Sequence, residues 1–280
     1  MNKCNPVIKW AGGKRQLLNE IKSRMPTSYK TYYEPFFGGG ALFFDLCPSK
    51  AVINDFNPQL INLYEQIRTN SKKLMAELDK FQSKYNSFTT EDERKDYYYE
   101  IRAEYNKSLK AGTKSFLIAA QLIFLNKTGF NGLYRVNSKG EFNTPFGYRK
   151  NITLYDTDNI KNVSKLLKKV KILNSDFEEV LKDVSANDFV FLDSPYYGTF
   201  DTYQSNGFSE DDHKRLCEVF KQMDKKGAKI LMTNSNTEFI KELYEDYNIE
   251  IVPVKRMINR DGNNRTDTEV IITNYKNSSL

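Results

Sequence analysis

Hydrophobic positions along this chain keep two rhythms. Short, mostly apolar stretches rich in β-branched residues occur at residues 51–55, 170–173, 189–192, 229–233, 249–254 and 269–274, and the one at 189–192 is unbroken. Runs of that length predict buried strands. Between them the spacing becomes helical, with Leu17, Leu18 and Ile21 on one face and Leu60, Leu63, Tyr64 and Ile67 on another. The pattern predicts helices over residues 58–83, 96–109, 114–126, 177–184, 211–225 and 238–244, and one starting at Ala41. Residues 85–95 are polar and read as a loop. Residues 128–148 carry turn signals at Asn131-Gly132 and Ser138-Lys139-Gly140 between β-type residues, and read as a hairpin. The lysine-rich residues 161–171 read as a solvated helix face. Strands alternating with helices predict a mostly parallel α/β sheet, with the last two strands as an antiparallel edge pair. The alternation is interrupted over residues 59–163. That segment reads as an insertion, leaving 1–58 and 164–280 as one α/β domain.

Composition changes this picture little. Hydrophobic residues make up 39% of 280, enough for a sizeable core, and the net charge of +6 suits a polyanionic partner without requiring one. Cys4, Cys47 and Cys217 are scattered and odd in number, so they form no disulfide framework and no metal-ligand pattern. A reducing, cytoplasmic setting and no metal are expected. No leader-like or membrane-length apolar stretch stands out, so neither secretion nor membrane insertion is expected. The sole histidine, His213, follows an acidic helix start capped by Ser209 and is expected at the surface. A single histidine excludes most histidine-based hydrolytic schemes.

Candidate chemistry lies where apolar runs stop. The run 189–192 ends in Asp193-Ser194-Pro195-Tyr196-Tyr197. Ligands of open α/β sheets sit at strand ends, and a carboxylate beside a stacking ring suits a planar, hydrogen-bonding substrate such as a nucleobase. A strand followed by a proline turn is the plainer reading of the same residues. Tyr33-Glu34-Pro35-Phe36-Phe37-Gly38-Gly39-Gly40-Ala41 places three glycines before a helix, where backbone can approach a ligand closely. The next run ends in Asp55, placed to accept hydrogen bonds from ribose hydroxyls. The glycines do not follow the G-x-G-x-x-G spacing of nicotinamide sites, so a different nucleoside-bearing cofactor is indicated. At the N-terminus, Ile8-Lys9-Trp10-Ala11-Gly12-Gly13-Lys14 reads as a cationic loop over a carboxylate or phosphate, or as a capped helix start with a core tryptophan. The hairpin carries Arg135, Asn137, Lys139 and Asn143, types that read base edges in a major groove or are simply solvated. The loop 255–266 carries Lys255, Arg256, Arg260 and Arg265, suited to phosphate contacts.

Together these segments resemble one family. W-A-G-G-K at residues 10–14, E-P-F-x-G-G-G-A at 34–41, I-N-D-x-N at 53–57, F-N-G-L-Y-R-V-N at 130–137, G-E-F-N-x-P-F-G at 140–147 and D-x-P-Y at 193–196 match, in order, the Dam-type D12 DNA adenine-N6 methyltransferases of the alpha class. The resemblance implies an α/β, Rossmann-like S-adenosylmethionine-dependent methyltransferase sheet, with an inserted, mainly helical target-recognition subdomain carrying a β-hairpin. It implies S-adenosyl-L-methionine as methyl donor, double-stranded DNA as substrate with GATC as the site, and a cognate restriction endonuclease as a partner. No membrane and no metal enter.

By the same resemblance, Trp10 and Lys14 hold the methionine end of the cofactor, with Lys14 facing its carboxylate. Phe36 and Gly38 to Gly40 form its loop, Asp55 binds the ribose, and Asp176 and Phe177 flank its adenine. Asp193, Ser194, Pro195 and Tyr196 form the catalytic tetrapeptide. Asp193 also borders the cofactor. Lys9 contacts a guanine, Phe130 and Asn131 meet the opened duplex, Arg135, Asn137, Lys139 and Asn143 read or border bases, and Lys255 and Arg260 touch phosphates. The chain departs from the usual Asp-Pro-Pro-Tyr at Ser194, which supplies a carbonyl but lacks proline's fixed φ. An altered rate is therefore expected. The alternatives are methylation of RNA or of a protein glutamine, and a DNA-binding protein whose activity is weakened through Ser194.

Overall fold

Strands buried on both faces need continuous apolar sequence, and such strands form the centre of this fold. The computed structural model describes residues 4–198, 207–255 and 266–276. Strands β1 (Tyr32–Glu34), β2 (Ala51–Asn54), β3 (Val170–Leu173), β4 (Phe189–Leu192) and β5 (Lys229–Ser235) run parallel. Strands β6 (Asn248–Lys255) and β7 (Thr266–Thr273) complete a 7-stranded sheet in the order β3-β2-β1-β4-β5-β7-β6, with β7 antiparallel to both neighbours. This is the expected Rossmann-like sheet with its antiparallel edge pair. Side chains alternate between two cores. Tyr32, Phe189, Phe191, Leu231 and Ile271 enter one; Tyr33, Val190, Leu192, Ile230, Met232, Val270 and Ile272 enter the other. The period of two along a strand divides them.

The first core also takes residues of α1 (Leu18–Arg24), α2 (Ala41–Leu46), α3 (Pro58–Ser87), α4 (Glu91–Lys110), α5 (Phe116–Thr128) and α6 (Thr157–Leu167). The second takes α7 (Phe177–Leu181), α8 (Glu210–Lys225) and α9 (Glu238–Leu243). Helices α3 to α6 all lie in the crossover from β2 to β3. Helix α5 is buried at every position from Ile118 to Leu125, which is why it is apolar all round.

Three expectations need correction. Residues 85–95 are not a loop. Helix α3 continues through the buried Tyr85 to Ser87, and α4 starts at Glu91 behind a capping box of Thr90 and Glu93. The acidic first turn hid that start, although acids favour a helix N-terminus. His213 is not at the surface. It lies at 1% exposure on the apolar face of α8 with Leu216, Cys217 and Phe220, at the spacing of one helical face. The hairpin of residues 128–148 runs antiparallel but is held by isolated bridges, Gly129 to Phe146 and Val136 to Phe142, with a 3-10 turn at Phe130–Gly132. The lysines 161, 165 and 168 are exposed as expected, while Lys171 belongs to β3.

From β1 the sheet grows to β2 and β3 on one side and to β4 and β5 on the other. The carboxyl ends of β1 and β4 therefore flank a topological switch point, where open α/β sheets bind ligands. Among the described residues no helix is long and apolar enough to cross a membrane, and no group of His, Cys, Asp and Glu is placed to hold a metal.

Candidate active site

Strand β4 delivers Asp193 to the switch point directly after its last buried residue, Leu192. The Lys14 ammonium, from a 3-10 turn at Lys14–Gln16, lies 2.7 Å from Asp193 Oδ1, and the two side chains are 7% and 20% exposed. It also donates to the Gly12 carbonyl at 2.6 Å and sits 4.6 Å from the Tyr196 ring centroid. Neighbouring strands hold the loop. From β5, Thr233 Oγ1 donates to Asp193 Oδ1 at 2.9 Å, and Asn234 Nδ2 donates to Ser194 Oγ at 3.3 Å. Asn234 Oδ1 accepts from the Tyr197 N–H at 3.1 Å, and Ser235 Oγ donates to the Tyr197 carbonyl at 2.8 Å. From β7, Glu269 accepts from the Tyr196 hydroxyl at 2.6 Å. Burial, then the charges of Asp193 and Glu269, push that hydroxyl well above its ordinary pKa. Ser194 is buried, so its hydroxyl serves as an anchor for the loop.

The glycine loop faces Asp193 from β1. Gly38 has φ +48, and a Cβ there would lie 2.8 Å from Trp10 Cδ1, so only glycine lets this backbone pass the indole. The Gly38 N–H donates to Asp55 Oδ2 at 2.7 Å, the Asn57 N–H to Asp55 Oδ1 at 2.8 Å, and the Tyr64 hydroxyl to the Gly38 carbonyl at 2.8 Å. Burial raises the Asp55 carboxyl to about 6 against the opposing pull of those two N–H groups. Glu34, at the end of β1, is buried and accepts from the Tyr32 hydroxyl at 2.7 Å. Burial holds its carboxyl well above the usual carboxylate range, and the nearby Asp193 and Asp55 add to the rise. An aromatic wall stands beside this loop: Phe36 lies 5.5 Å from Phe177 and 5.9 Å from Phe208, ring centre to ring centre. Asp176 caps α7 by accepting from the Glu178 N–H at 2.9 Å and pairs with Arg215 at 3.0 Å.

Residues 130–143 form a second cluster. Phe130 is 49% exposed and Asn131 follows with φ +54, a left-handed conformation that non-glycine residues adopt at a cost. Arg135 is exposed, and Asn143 orients it by accepting from Nε at 2.7 Å and, through its carbonyl, from the guanidinium at 3.2 Å. Asn137 closes the turn. Its Oδ1 accepts from the Lys139 and Glu141 N–H groups at 2.9 and 3.0 Å, and its Nδ2 donates to Glu141. Lys9 and Lys139 are exposed. Lys255 ends β6, while Arg256, Arg260 and Arg265 lie outside the described residues.

The structure thus brings together Trp10, Lys14, Gly38, Asp55, Asp193, Ser194 and Tyr196, with Phe36, Asp176 and Phe177 beside them. Sequence reasoning missed Thr233, Asn234 and Glu269, which hold the Asp193–Tyr197 loop, and Phe208, the third ring of the wall. Thr233 and Asn234 close an apolar run on the same sheet edge as Asp193, which was the available signal. Glu269 and Phe208 gave none. His213 packs against Phe208, Tyr197 and Phe239 at 4.7, 5.8 and 6.1 Å between ring centres. Among the described residues neither ring nitrogen has a hydrogen-bond partner, and burial pushes its pKa down to about 4.

A family model described as D12 class N6 adenine-specific DNA methyltransferase matches residues 10–258. The chain is 43% identical to the type II methyltransferase M.MjaIII of Methanocaldococcus jannaschii, covering 96% of this chain and 99% of that protein. It is 40% identical to the type II methyltransferase M1.LlaDCHI of Lactococcus lactis subsp. cremoris, covering 99% and 98%. It is 32% identical to the retron Ec67 DNA adenine methylase of Escherichia coli, covering 95% and 90%.

Proposed function

Because the chain belongs to the D12 class of N6 adenine-specific DNA methyltransferases, we propose that it methylates the adenine of GATC in duplex DNA with S-adenosylmethionine as donor. The observation that carries this reading is the meeting of the Asp193–Tyr196 loop and the Gly38–Asp55 loop at one switch point, with the Lys14 ammonium seated on Asp193.

The residues present fit the donor. Asp55 offers carboxylate lone pairs to ribose hydroxyls, the Gly38 backbone leaves no room for a side chain, and Phe36, Phe177 and Phe208 offer an apolar wall to an adenine. Trp10 and Lys14 border the methionine end, with Lys14 aimed at its carboxylate. When bound, S-adenosylmethionine supplies an electrophilic methyl group on a sulfonium centre.

This chain's residues handle the base. An adenine must leave the duplex to reach Asp193, at a cost of a few kcal/mol in stacking and pairing. Tyr196 stacks on it, held in place by Glu269. Asp193 and the Ser194 carbonyl accept hydrogen bonds from the amino group. They direct its lone pair outward and stabilise the positive charge that develops on nitrogen. Lys14 exchanges its contact with Asp193 as the amino group arrives. Pro195 and the Asn234–Ser194 hydrogen bond keep the loop rigid, which favours an active enzyme over a weakened binding protein.

We assign chemistry to residues 1–58 and 164–280 and target reading to 59–163, since α3 to α6 all lie between β2 and β3. Lys9 contacts the first guanine and Phe130 with Asn131 the opened duplex. Arg135, oriented by Asn143, reads an outer base. Asn137 and Lys139 shape and border the same turn, and Lys255 and Arg260 contact phosphates. Two relatives are named type II methyltransferases, which supports a cognate restriction endonuclease as partner and a cytoplasmic site of action.

The test is labelled S-adenosylmethionine with a random-sequence duplex library, followed by mapping of the label. Label on adenine N6 within GATC is expected. Another consensus overturns the site alone, and label on RNA or on a protein glutamine overturns the substrate. Binding of cofactor and DNA without transfer overturns the enzyme reading.

A further inference from the structure

Asn126 lies on α5, outside both loops of the active site, and is 3% exposed. All of its amide is used. Its Oδ1 accepts from the Lys9 N–H at 2.9 Å, and its Nδ2 donates to the Lys9 carbonyl at 2.9 Å and to the Gly132 carbonyl at 2.7 Å. One buried side chain thus ties residue 9 to the turn at Phe130–Gly132. The two segments also interlock sterically. Gly132 has φ +68, and a Cβ there would stand 2.9 Å from Lys9 Cδ. Two residues further on, Tyr134 stacks on Trp10 with ring centres 5.0 Å apart. Trp10 in turn covers Gly38 and Gly39 of the glycine loop.

We propose that Asn126 is a positioning residue that locks the exposed recognition turn to the Lys9–Trp10 segment, so that DNA at the turn and cofactor at the glycine loop strengthen each other's binding. The proposal rests on the cofactor and DNA reading given above. The contacts form an unbroken run from the turn, through Asn126, Lys9 and Trp10, to the loop that Asp55 holds. Displacing the turn therefore displaces the indole against the glycines. Coupling between two ligands is reciprocal: whatever factor one adds to the other's affinity, the second returns.

The experiment measures binding of S-adenosylhomocysteine, a non-reacting stand-in, with and without a GATC duplex, and of the duplex with and without S-adenosylhomocysteine. The wild-type protein should show the same enhancement in both directions, on the order of tenfold. Asn126→Asp keeps an acceptor for the Lys9 N–H but loses both donors, including the only Asn126 bond that reaches the turn. The enhancement should fall to about one in both directions, with S-adenosylhomocysteine alone still bound as in wild type. Asn126→Ala should behave likewise. An enhancement that survives Asn126→Asp, or one that is absent in wild type while both ligands bind, overturns the proposal. Failure of either ligand to bind the wild-type protein overturns the underlying functional reading instead. A measurement on the wild type alone guards against a variant that does not fold. S-adenosylhomocysteine without DNA should slow amide hydrogen exchange across residues 130–134, and unchanged exchange there overturns the proposal.

Discussion

Replacing Lys14 by methionine removes an ammonium that meets Asp193 at 2.7 Å, the Gly12 carbonyl at 2.6 Å and the Tyr196 ring at 4.6 Å. Breaking a fully buried ion pair by deleting one partner costs about 3–5 kcal/mol. Asp193 is one-fifth exposed and keeps the Thr233 hydroxyl, so part of its charge stays solvated. That discounts the loss to about 2 kcal/mol. The contact over the Tyr196 ring adds about 1 kcal/mol. A total near 3 kcal/mol shifts the melting temperature of a domain this size down by about 6–10 °C. Urea unfolding of Lys14→Met, of Asp193→Asn and of the double variant gives the pair energy directly. The double variant leaves no unpaired charge, so it should be more stable than Lys14→Met by about 2 kcal/mol. Lys14→Met within about 0.5 kcal/mol of wild type, or a double variant no more stable than that single one, refutes the account. Methyl transfer should fall in both single variants, since each loses a group at the reacting centre.

Cofactor affinity should weaken as the pH falls through about 6, because Asp55 must be ionised to accept from ribose and burial raises its carboxyl to that value. Its folded value exceeds the unfolded one, so the same group favours folding at low pH and loses that contribution as pH rises from about 4 through 6. Calorimetry on Asp55→Asn should show both slopes flattened, and an unchanged affinity profile removes Asp55 from the site. Ser194→Pro should remain active, whereas Asn234→Ala, which also frees the Tyr197 N–H, should lower kcat about tenfold or more, consistent with about 1–3 kcal/mol for a buried group left unsatisfied. Inactivity of Ser194→Pro in single-turnover assays contradicts the proline-compatible loop. Arg135→Ala should cost about 1–3 kcal/mol at one base pair and relax selectivity there. Asn143→Ala should reproduce it in a library selection, because Asn143 orients the guanidinium; a variant of normal selectivity argues otherwise. His213→Phe should raise stability by about 1 kcal/mol near neutral pH by removing unpaired buried nitrogens. Its depressed pKa means wild-type stability falls as pH drops from 6.5 through about 4, and that slope should vanish in the variant. A variant that melts earlier refutes this.

The strand at Phe189–Leu192 was readable to the residue, because a short strand buried on both faces is also an unbroken apolar run; Val170–Leu173 was readable from its β-branched and apolar residues despite the exposed Lys171. The start of α4 was not, because its first turn shows solvent-facing acids and its buried face begins only at Tyr97. His213 was misplaced for a related reason: its acidic neighbours advertise the exposed side of α8, while its own position falls on the other. Within the site, Gly38, Asp55, Asp193 and Tyr196 stood in local motifs. Thr233, Glu269 and Asn126 did not, since their partners lie 40, 73 and 117 positions away and meet only once the sheet closes.

The crossover from β2 to β3 has an evolutionary and a practical consequence. A parallel crossover needs no more than one helix, and this one carries α3 to α6 with the exposed turn at Phe130–Gly132. Under the target-reading role proposed for this segment, mutations confined to its exposed turn leave the sheet untouched, so target preference can drift while the chemistry is conserved. The exchangeable piece is nevertheless discontinuous. Asn159 pairs with the Asn5 backbone through both the oxygen and the nitrogen of its side-chain amide, and Asn126 does the same with Lys9. A chimera that transplants α3 to α6 alone severs both clasps. One that carries residues 5–10 of the donor along with them keeps each clasp with its own partner.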